Sequence, residues 1–330
     1  MKEGEIHAGI DVGAKSLAVC VMGRAVFQRE FSNDSAGHAG MVKKLESLGV
    51  THVCLEPTGS YSLDIALALV AGGFEVMVAN PRAVRHFAEA LMQRSKTDPL
   101  DARCLAEFGA RMPFQSWKPP SQACLEIRSI ARRITGLKDI LVQEKNRLHS
   151  VNATLTGSTC VAEDIKRSIV HLKERISELE DAALAVITKD STLQLRYELV
   201  LSVPGIGKAS AISLLAELSV LPTDMTVRQW VAHAGLDPRH RCSGTSVHGK
   251  VRVSKTGNAR IRKALFLPAL TAVRYVPEIK NRLQQLKTRT KNPLTGLQAV
   301  VAIMRKILHA IFGMFRTNSV FNIEKVFCSA

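Results

Sequence analysis

Ile6-His7-Ala8-Gly9-Ile10-Asp11-Val12, then Gly13-Ala14-Lys15, then Ser16-Leu17-Ala18-Val19-Cys20-Val21-Met22 is the stretch on which the fold turns. Two apolar runs of seven residues separated by a short glycine-led break read as adjacent strands joined by a tight turn. A third strand fits 25–31. Residues 38–48 carry helical periodicity, and Val53-Cys54-Leu55 is a short buried strand ending at Glu56-Pro57-Thr58-Gly59. A helix at 60–72 and a strand at 74–79 come next, and Asn80-Pro81 has the residues that open a helix.

Three antiparallel-looking strands followed by alternating helix and strand is the element order of a ribonuclease-H-like domain, one of the few architectures that such alternation permits. Past Phe114–Pro120 the pattern changes. Ile127, Ile130, Ile134, Leu137, Leu141, Leu148, Val151 and Leu155 recur in steps of three and four, with Glu144 in the skipped position. After Thr156-Gly157-Ser158 the rhythm returns in Ile165, Ile169, Leu172, Ile176, Leu179, Ala183 and Val186. Such seams predict a helical hairpin or an intermolecular coiled coil. The expected class is α/β plus all-α in three parts: an acidic α/β domain over 1–115, a coiled-coil middle over 116–190, and a mostly helical domain over 191–330.

The formal net charge is +16 over 330 residues, while the 46% hydrophobic and 22% charged fractions are ordinary for a folded chain. That excess of cations favours a polyanion, whose condensed counterions are released when Lys and Arg neutralise phosphates. Basic residues are spread through structured segments rather than along one amphipathic helix, so no membrane partner is expected. The apolar run 293–315 contains Gln298, Arg305, Lys306 and His309 and reads as a buried helix. Seven widely spaced cysteines without a CxxC pair argue against a disulfide framework or a structural zinc site. The ten histidines show no metal-ligand spacing and read as surface or core residues. The opening Met1-Lys2-Glu3-Gly4-Glu5 leads straight into a strand, so the expectation is a cytoplasmic, nucleoid-associated chain without a signal peptide.

Four acids carry the chemistry. Asp11 ends the first strand between Gly9 and Gly13, which lets a carboxylate project into an open cleft, although the phosphate turn of actin-like kinases looks similar. Glu56 ends a short apolar strand and converges on Asp11 if the two strands pair. Asp98 and Asp101, three apart, share a helix face. Asp98 before Pro99 also has the form of an N-cap, with Asp101 as a first-turn acid. Clustered carboxylates bind hard dications such as Mg²⁺, and a metal pair can clamp both oxygens of a phosphodiester in displacement.

Two later segments fit a nucleic-acid partner. Val203-Pro204-Gly205-Ile206-Gly207-Lys208 is a glycine turn at a helix start; it fits either a phosphate on exposed amides or a tight helix–helix connection. Residues 239–263 string Arg239, Arg241, Lys250, Arg252, Lys255 and Arg260 around Ser243-Gly244-Thr245-Ser246, a flexible polar loop able to surround a phosphate, or one bearing a serine nucleophile. The arginines and lysines off the 127–155 seam either solvate that helix or track a nucleic-acid backbone.

Taken in order, Gly9-Ile10-Asp11-Val12, Glu56-Pro57-Thr58-Gly59-Ser60-Tyr61, Thr97-Asp98-Pro99-Leu100-Asp101-Ala102-Arg103, Pro204-Gly205-Ile206-Gly207, Ala234-Gly235-Leu236-Asp237-Pro238-Arg239, Ser243-Gly244-Thr245-Ser246 and Ser254-Lys255-Thr256-Gly257-Asn258 resemble the DEDD transposases of the insertion-sequence one-hundred-ten family. That family includes pilin-gene invertases and bridge-RNA-guided recombinases. The resemblance spans nearly the whole chain. It implies a RuvC-like first domain, a coiled-coil middle and a C-terminal transposase domain. By the same match Asp11, Glu56, Asp98 and Asp101 hold Mg²⁺, and Ser243 attacks a DNA phosphate. Target and donor DNA, a noncoding bridge RNA and a homotetramer are the implied partners, with acids and serine of one working site supplied by different subunits. Cys242 stands before Ser243 where relatives can carry an acid. A metal-only junction resolvase acting by hydrolysis is the alternative the residues leave open, and a non-catalytic binding protein or an actin-like ATPase are further rivals.

Overall fold

β1 (His7–Val12) and β2 (Ser16–Met22) pair antiparallel across the turn at Gly13, whose N–H donates to the Ser16 carbonyl at 2.8 Å. β3 (Phe27–Ser32) extends the meander. α1 (Ser35–Ser47) starts where the Asp34 carboxylate accepts the Gly37 N–H at 2.8 Å. It delivers β4 (His52–Leu55) parallel to β1, as only a crossover connection can. α2 (Leu63–Ala71) repeats the move into β5 (Glu75–Val78), and the five strands lie in the order β3-β2-β1-β4-β5. This is the ribonuclease-H-like sheet. α3 (Pro81–Ala90) and α4 (Asp98–Arg111) complete the first of two compact units, Met1–Pro119 and Pro120–Ala330. The computed structural model describes residues 5–23, 26–57, 59, 61–93, 95, 97–154, 156–243 and 247–328, without the side chains of residues 240–243, 247, 248 and 250.

Strand alternation divides the sheet into two chemically different faces. Ala8, Ile10, Val12, Val53 and Leu55 pack with Met41, Leu45, Ile65 and Leu69 of α1 and α2. Each large side chain so buried contributes about 1.5–3 kcal/mol. His7, Gly9 and Asp11 alternate onto the opposite face, which α4 covers. There Gly9 does what no other residue could: a Cβ on it would lie 2.1 Å from the Ala102 carbonyl oxygen and 2.2 Å from the Ala106 nitrogen. A Cβ on Gly109 would likewise lie 2.9 Å from the Cys54 Cβ. α4 therefore lies directly on the backbone of β1 and β4.

In the second unit, α5 (Gln122–Asn152) and α6 (Thr159–Lys189) form a helical hairpin within one chain. Ile134, Leu137, Leu172 and Ile176 fill its seam, with Ile130, Leu141 and Leu179 beside them. The base of the hairpin shares a core with the next two helices: Ile127, Ala131, Ala183 and Ile187 pack on Leu193 of α7 (Ser191–Leu201) and on Ile212 and Leu215 of α8 (Lys208–Leu218). Then come α9 (Val227–Ala234), the antiparallel pair β6 (Pro238–Ser243) and β7 (Val247–Val253), α10 (Ala259–Tyr275), α11 (Pro277–Thr288), α12 (Gly296–Thr317) and a π-helical turn at Glu324–Cys328. By length and composition α12 could cross a membrane, yet its apolar residues from Ala299 to Met314 pack into the core of this unit. The segment after Asp237, expected as a flexible polar loop, is a strand hairpin instead. Val247, Gly249, Val251 and Val253 alternate with His248, Lys250 and Arg252, a period of two outweighed in the sequence by the density of charge.

Candidate active site

Asp11 is the fifth residue of β1, and parallel pairing sets Ile10 opposite Leu55. The next residue along each strand is an acid, so Asp11 and Glu56 leave the sheet side by side at its carboxyl edge. α4, held down at Gly9, brings Asp101 to the same place. Asp11, Glu56 and Asp101 line one cleft of about 880 Å³, whose other walls include Cys104 and Leu105 of α4 and Arg82, Arg85, Glu89 and Gln93 from α3 and its end. Gln93 donates to the Asp101 carboxylate at 3.4 Å, and Arg85 is held by Glu89 at 3.0 Å.

Asp98 is exposed in the first turn of α4 and is not among the residues lining the cleft. Nor does it cap the helix. The N-cap is Thr97, whose carbonyl accepts the Asp101 N–H at 2.9 Å, while its side chain makes no capping bond. Asp98 and Pro99 sit one position deeper than the N-cap reading placed them, because the chain is already helical at Asp98. The local structural reason for an acid there is thereby weakened. The two arginines that share the cleft with the acids were not anticipated, since Arg82 and Arg85 lie in a helix whose sequence signal was only its Asn80-Pro81 start.

The donor set suits a hard dication. Three carboxylates in an open cleft match an ion that takes oxygen ligands and keeps several of its waters, as Mg²⁺ does. Such an ion needs no tight protein cage. The neighbouring thiols are poor competitors: burial first, then Cys104 and Glu56, push the Cys54 thiol up to about 12. Burial, aided by Asp101, Glu107 and Glu56, raises Cys104 to about 11. A rise from 9.0 to about 12 leaves about 10³-fold less thiolate. The native protein is therefore expected to alkylate at exposed Cys160 and Cys328 while buried Cys20, Cys54, Cys104 and Cys124 react only after denaturation. Mass mapping after a short pulse of iodoacetamide checks this; rapid labelling of Cys54 or Cys104 would contradict it.

In the second unit the turn at 203–208 resolves into two roles. Gly205 has φ +87°, and a Cβ on it would lie 2.4 Å from the Pro268 carbonyl oxygen of α10, so close packing requires glycine there. Gly207 is the N-cap of α8, is exposed, and adds no side-chain cap; Lys208 beside it reaches Asp181 of α6 at 2.9 Å. Arg260 lines a separate cleft of about 220 Å³ with Arg132, Lys138, Lys263, Ser210 and Ser213, a cationic pocket between α5, α8 and α10. Arg239, Arg252 and Lys255 are exposed on or just after the hairpin. Ser243 ends β6 opposite Val247. Its side chain, those of Arg241 and Lys250, and the whole of Gly244, Thr245 and Ser246 lie outside the described residues.

The base of that hairpin is firmly tied. Ser254 donates its hydroxyl to Asp237 at 2.5 Å and its N–H to the Asp237 carbonyl at 2.9 Å. Gly235 has φ +62°, and Arg262 bridges to the Ala234 carbonyl at 2.9 Å. Asn258 then donates at 2.7 Å to Glu217, a buried acid of α8 that also receives a two-pronged bond from Arg132 at 2.9 and 3.2 Å. Burial pushes the Glu217 carboxyl up, but the bonds from Arg132 and Asn258 and the charges of Arg132 and Arg128 outweigh it and hold the group below its ordinary value. This anchor was missed in the sequence, where the signal was a lone acid in Leu214-Leu215-Ala216-Glu217-Leu218.

Removing one partner of a buried ion pair strands the other charge. Glu217→Ala is expected to cost about 3 kcal/mol by denaturant unfolding, the lower end for such losses because Arg132 is partly exposed. A depressed folded pKa stabilises above the unfolded value of about 4.3 and loses that contribution as pH falls through the folded value. The pH dependence of stability below pH ~4 should therefore flatten in Glu217→Gln. An unchanged profile would remove Glu217 from this role.

Fold and site together define a polynucleotide-processing enzyme built on a ribonuclease-H-like sheet. Comparison with known proteins narrows the class. A transposase family model of the DEDD IS110 type matches residues 8–156, and a model for transposases of the IS116/IS110/IS902 family matches residues 197–284. The pilin gene-inverting protein of Moraxella bovis is 26% identical over 323 residues, covering 96% of this chain and 97% of its own. The transposase for insertion sequence element IS1111A of Coxiella burnetii is 24% identical over 298 residues, covering 81% and 78%. Among solved structures, T. thermophilus RuvC in complex with a Holliday junction substrate aligns with 34% of this chain and 98% of its own at 18% identity, with a TM-score of 0.28. The chain belongs to the IS110 family of transposases and is a DNA transposase/recombinase.

Proposed function

We propose that the chain cuts and rejoins DNA strands with Mg²⁺ held by Asp11, Glu56 and Asp101, completed by Asp98 one turn away on α4, and with Ser243 as the nucleophile. The observation that carries this reading is the convergence of Asp11, Glu56 and Asp101 on one cleft at the carboxyl edge of the sheet. When bound there, the cation supplies Lewis acidity to the phosphate and lowers the pKa of a coordinated hydroxyl. The protein's own part is positioning. Arg82 lines the same cleft as the acids and suits a non-bridging oxygen of a nucleic-acid backbone, while Arg85 beside it is paired with Glu89.

Strand exchange without loss of bond energy calls for a covalent link. In the forward step the Ser243 hydroxyl oxygen bonds to phosphorus as the bond to the 3′ or 5′ oxygen breaks, and the serine proton passes by way of solvent to that departing oxygen; a DNA hydroxyl reverses the step on the new partner, returning a proton to Ser243. The hairpin that bears Ser243 is fixed at its base by Asp237, Ser254 and Asn258, which gives the serine a firm platform. A second copy of the chain, within a tetramer, contributes the serine to the acids. A noncoding bridge RNA chooses the sequences by pairing, leaving the protein to hold backbone and A-form shape. A charge of +16 and an aromatic fraction of only 5% support contacts to phosphate rather than base stacking.

Incubating the protein with donor and target DNA, together with RNA recovered from its own locus, tests this. Wild type should form a DNA–protein adduct that survives denaturation, and Ser243→Ala should form none and lose strand exchange. Continued cutting by Ser243→Ala without an adduct would instead establish metal-dependent hydrolysis. Recombination in rigorously RNA-free preparations would remove the guide.

A further inference from the structure

The face of the sheet that carries the acids at one end carries a different donor set at the other. His7 and His52 begin β1 and β4 and are register partners, and Glu75 begins β5 opposite His52. Glu5 lies two residues before His7, the strand spacing that returns a side chain to the same face. Ligand atoms of Glu5, His7 and His52 all lie within 4.8 Å of one another, and among the described residues no other group of three or more His, Cys, Asp or Glu side chains does so. With Glu75, Phe114 and Ser116 they line a cavity of about 550 Å³. Asp11 lies four positions beyond His7, about 13 Å along a strand, so this is a separate place from the acid cleft.

His7 is the observation that asks for a ligand. It is only 3% exposed, yet among the described residues neither ring nitrogen has a hydrogen-bond partner. A buried polar group left so costs about 1–3 kcal/mol. Its Nδ1 faces Gly109 of α4, while Nε2 faces the Glu5 carboxylate at 3.6 Å. That separation is close to the edge of a tetrahedron with bonds of about 2.0–2.1 Å, roughly 3.3 Å. His52 stacks on His7 with ring centroids 4.9 Å apart, and its Nδ1 is bonded to the Thr51 hydroxyl at 2.8 Å, leaving Nε2 to ligate. An outer partner on the second ring nitrogen is how ligating histidines are oriented.

We infer that Glu5, His7 and His52 form a binding site for a borderline transition-metal dication, Zn²⁺ by preference, that clamps the amino ends of β1 and β4. Two imidazoles and a carboxylate match the zinc donor set, and the fourth position opens on the cavity, towards water or Glu75. Hard Mg²⁺, which favours oxygen, belongs at the opposite edge.

The test uses full-length protein stripped with a chelator and held in excess Mg²⁺, which occupies the acid cleft. Equilibrium dialysis against Zn²⁺ with elemental analysis should give one tightly held zinc per chain in wild type and in Asp11→Asn. Glu5→Gln and His52→Asn should weaken uptake by at least about 100-fold. Co²⁺ in place of Zn²⁺ should give visible ligand-field bands of low coordination number in wild type, absent from both variants. Glu5 is partly exposed at a strand start, so Glu5→Gln decides the matter if His52→Asn fails to fold. No zinc retained by wild type, equal uptake by the variants, or uptake lost only in Asp11→Asn would each overturn the site.

Discussion

Asp11→Asn is expected to lower DNA cleavage and strand transfer by about 10³-fold or more, which is about 4 kcal/mol of transition-state stabilisation. The substitution is nearly isosteric and keeps an oxygen in place, so the sheet survives and the loss is electrostatic. Asp11 lies at the end of β1 beside Glu56 and across from Asp101, where a dication would bridge protein and phosphate. Single-turnover cleavage by variant and wild type, with circular dichroism to confirm the fold, measures the effect. Activity within tenfold of wild type would mean that the acid cleft is not where chemistry happens.

Gly9→Val should be nearly as damaging although Gly9 touches no substrate. Its new Cβ would sit 2.1 Å from a carbonyl oxygen of α4 and 2.2 Å from a backbone nitrogen, and helix backbone cannot yield as a side-chain tip can. Overpacking of this kind costs about 1–3 kcal/mol or more. Whatever relief the fold finds must lift α4 off the strand, and α4 carries Asp101. A displacement of about 1 Å at a reacting centre can cost about 10²-fold in rate. Both losses should therefore appear together: a lower unfolding midpoint, and cleavage reduced about 10²-fold in the fraction that stays folded. A variant destabilised but fully active would show that Asp101 is dispensable.

These two variants also mark what the sequence made legible. Asp11 and Glu56 could be found because each acid ends a short apolar strand, and parallel pairing of such strands leaves little freedom in where their ends fall. Gly9, two residues before Asp11, was visible too, but its purpose was not. It looked like a means of opening a cleft and proves to be the seat of a helix whose first residue is 89 positions later, a contact no local pattern encodes. The same holds for His7 and His52. Forty-five residues apart and without a recognisable ligand spacing, they become neighbours only through strand register. Glu217 joins α5, α8 and the base of the serine-bearing hairpin, and its only trace in the sequence is one acid in an apolar helical run. The hydrophobic seam of α5 and α6 was plain because three-four periodicity is local; that it closes within one chain was not, since the same spacing serves a partner helix equally well.

Anomalous diffraction from crystals soaked in Mn²⁺, a scattering stand-in for Mg²⁺, tests the central claim most directly. A peak bonded to the carboxylates of Asp11 and Glu56, with Asp101 in its coordination sphere, is the predicted result, and it should vanish in Asp11→Asn. Crystals of active protein with no manganese between those residues would contradict the account.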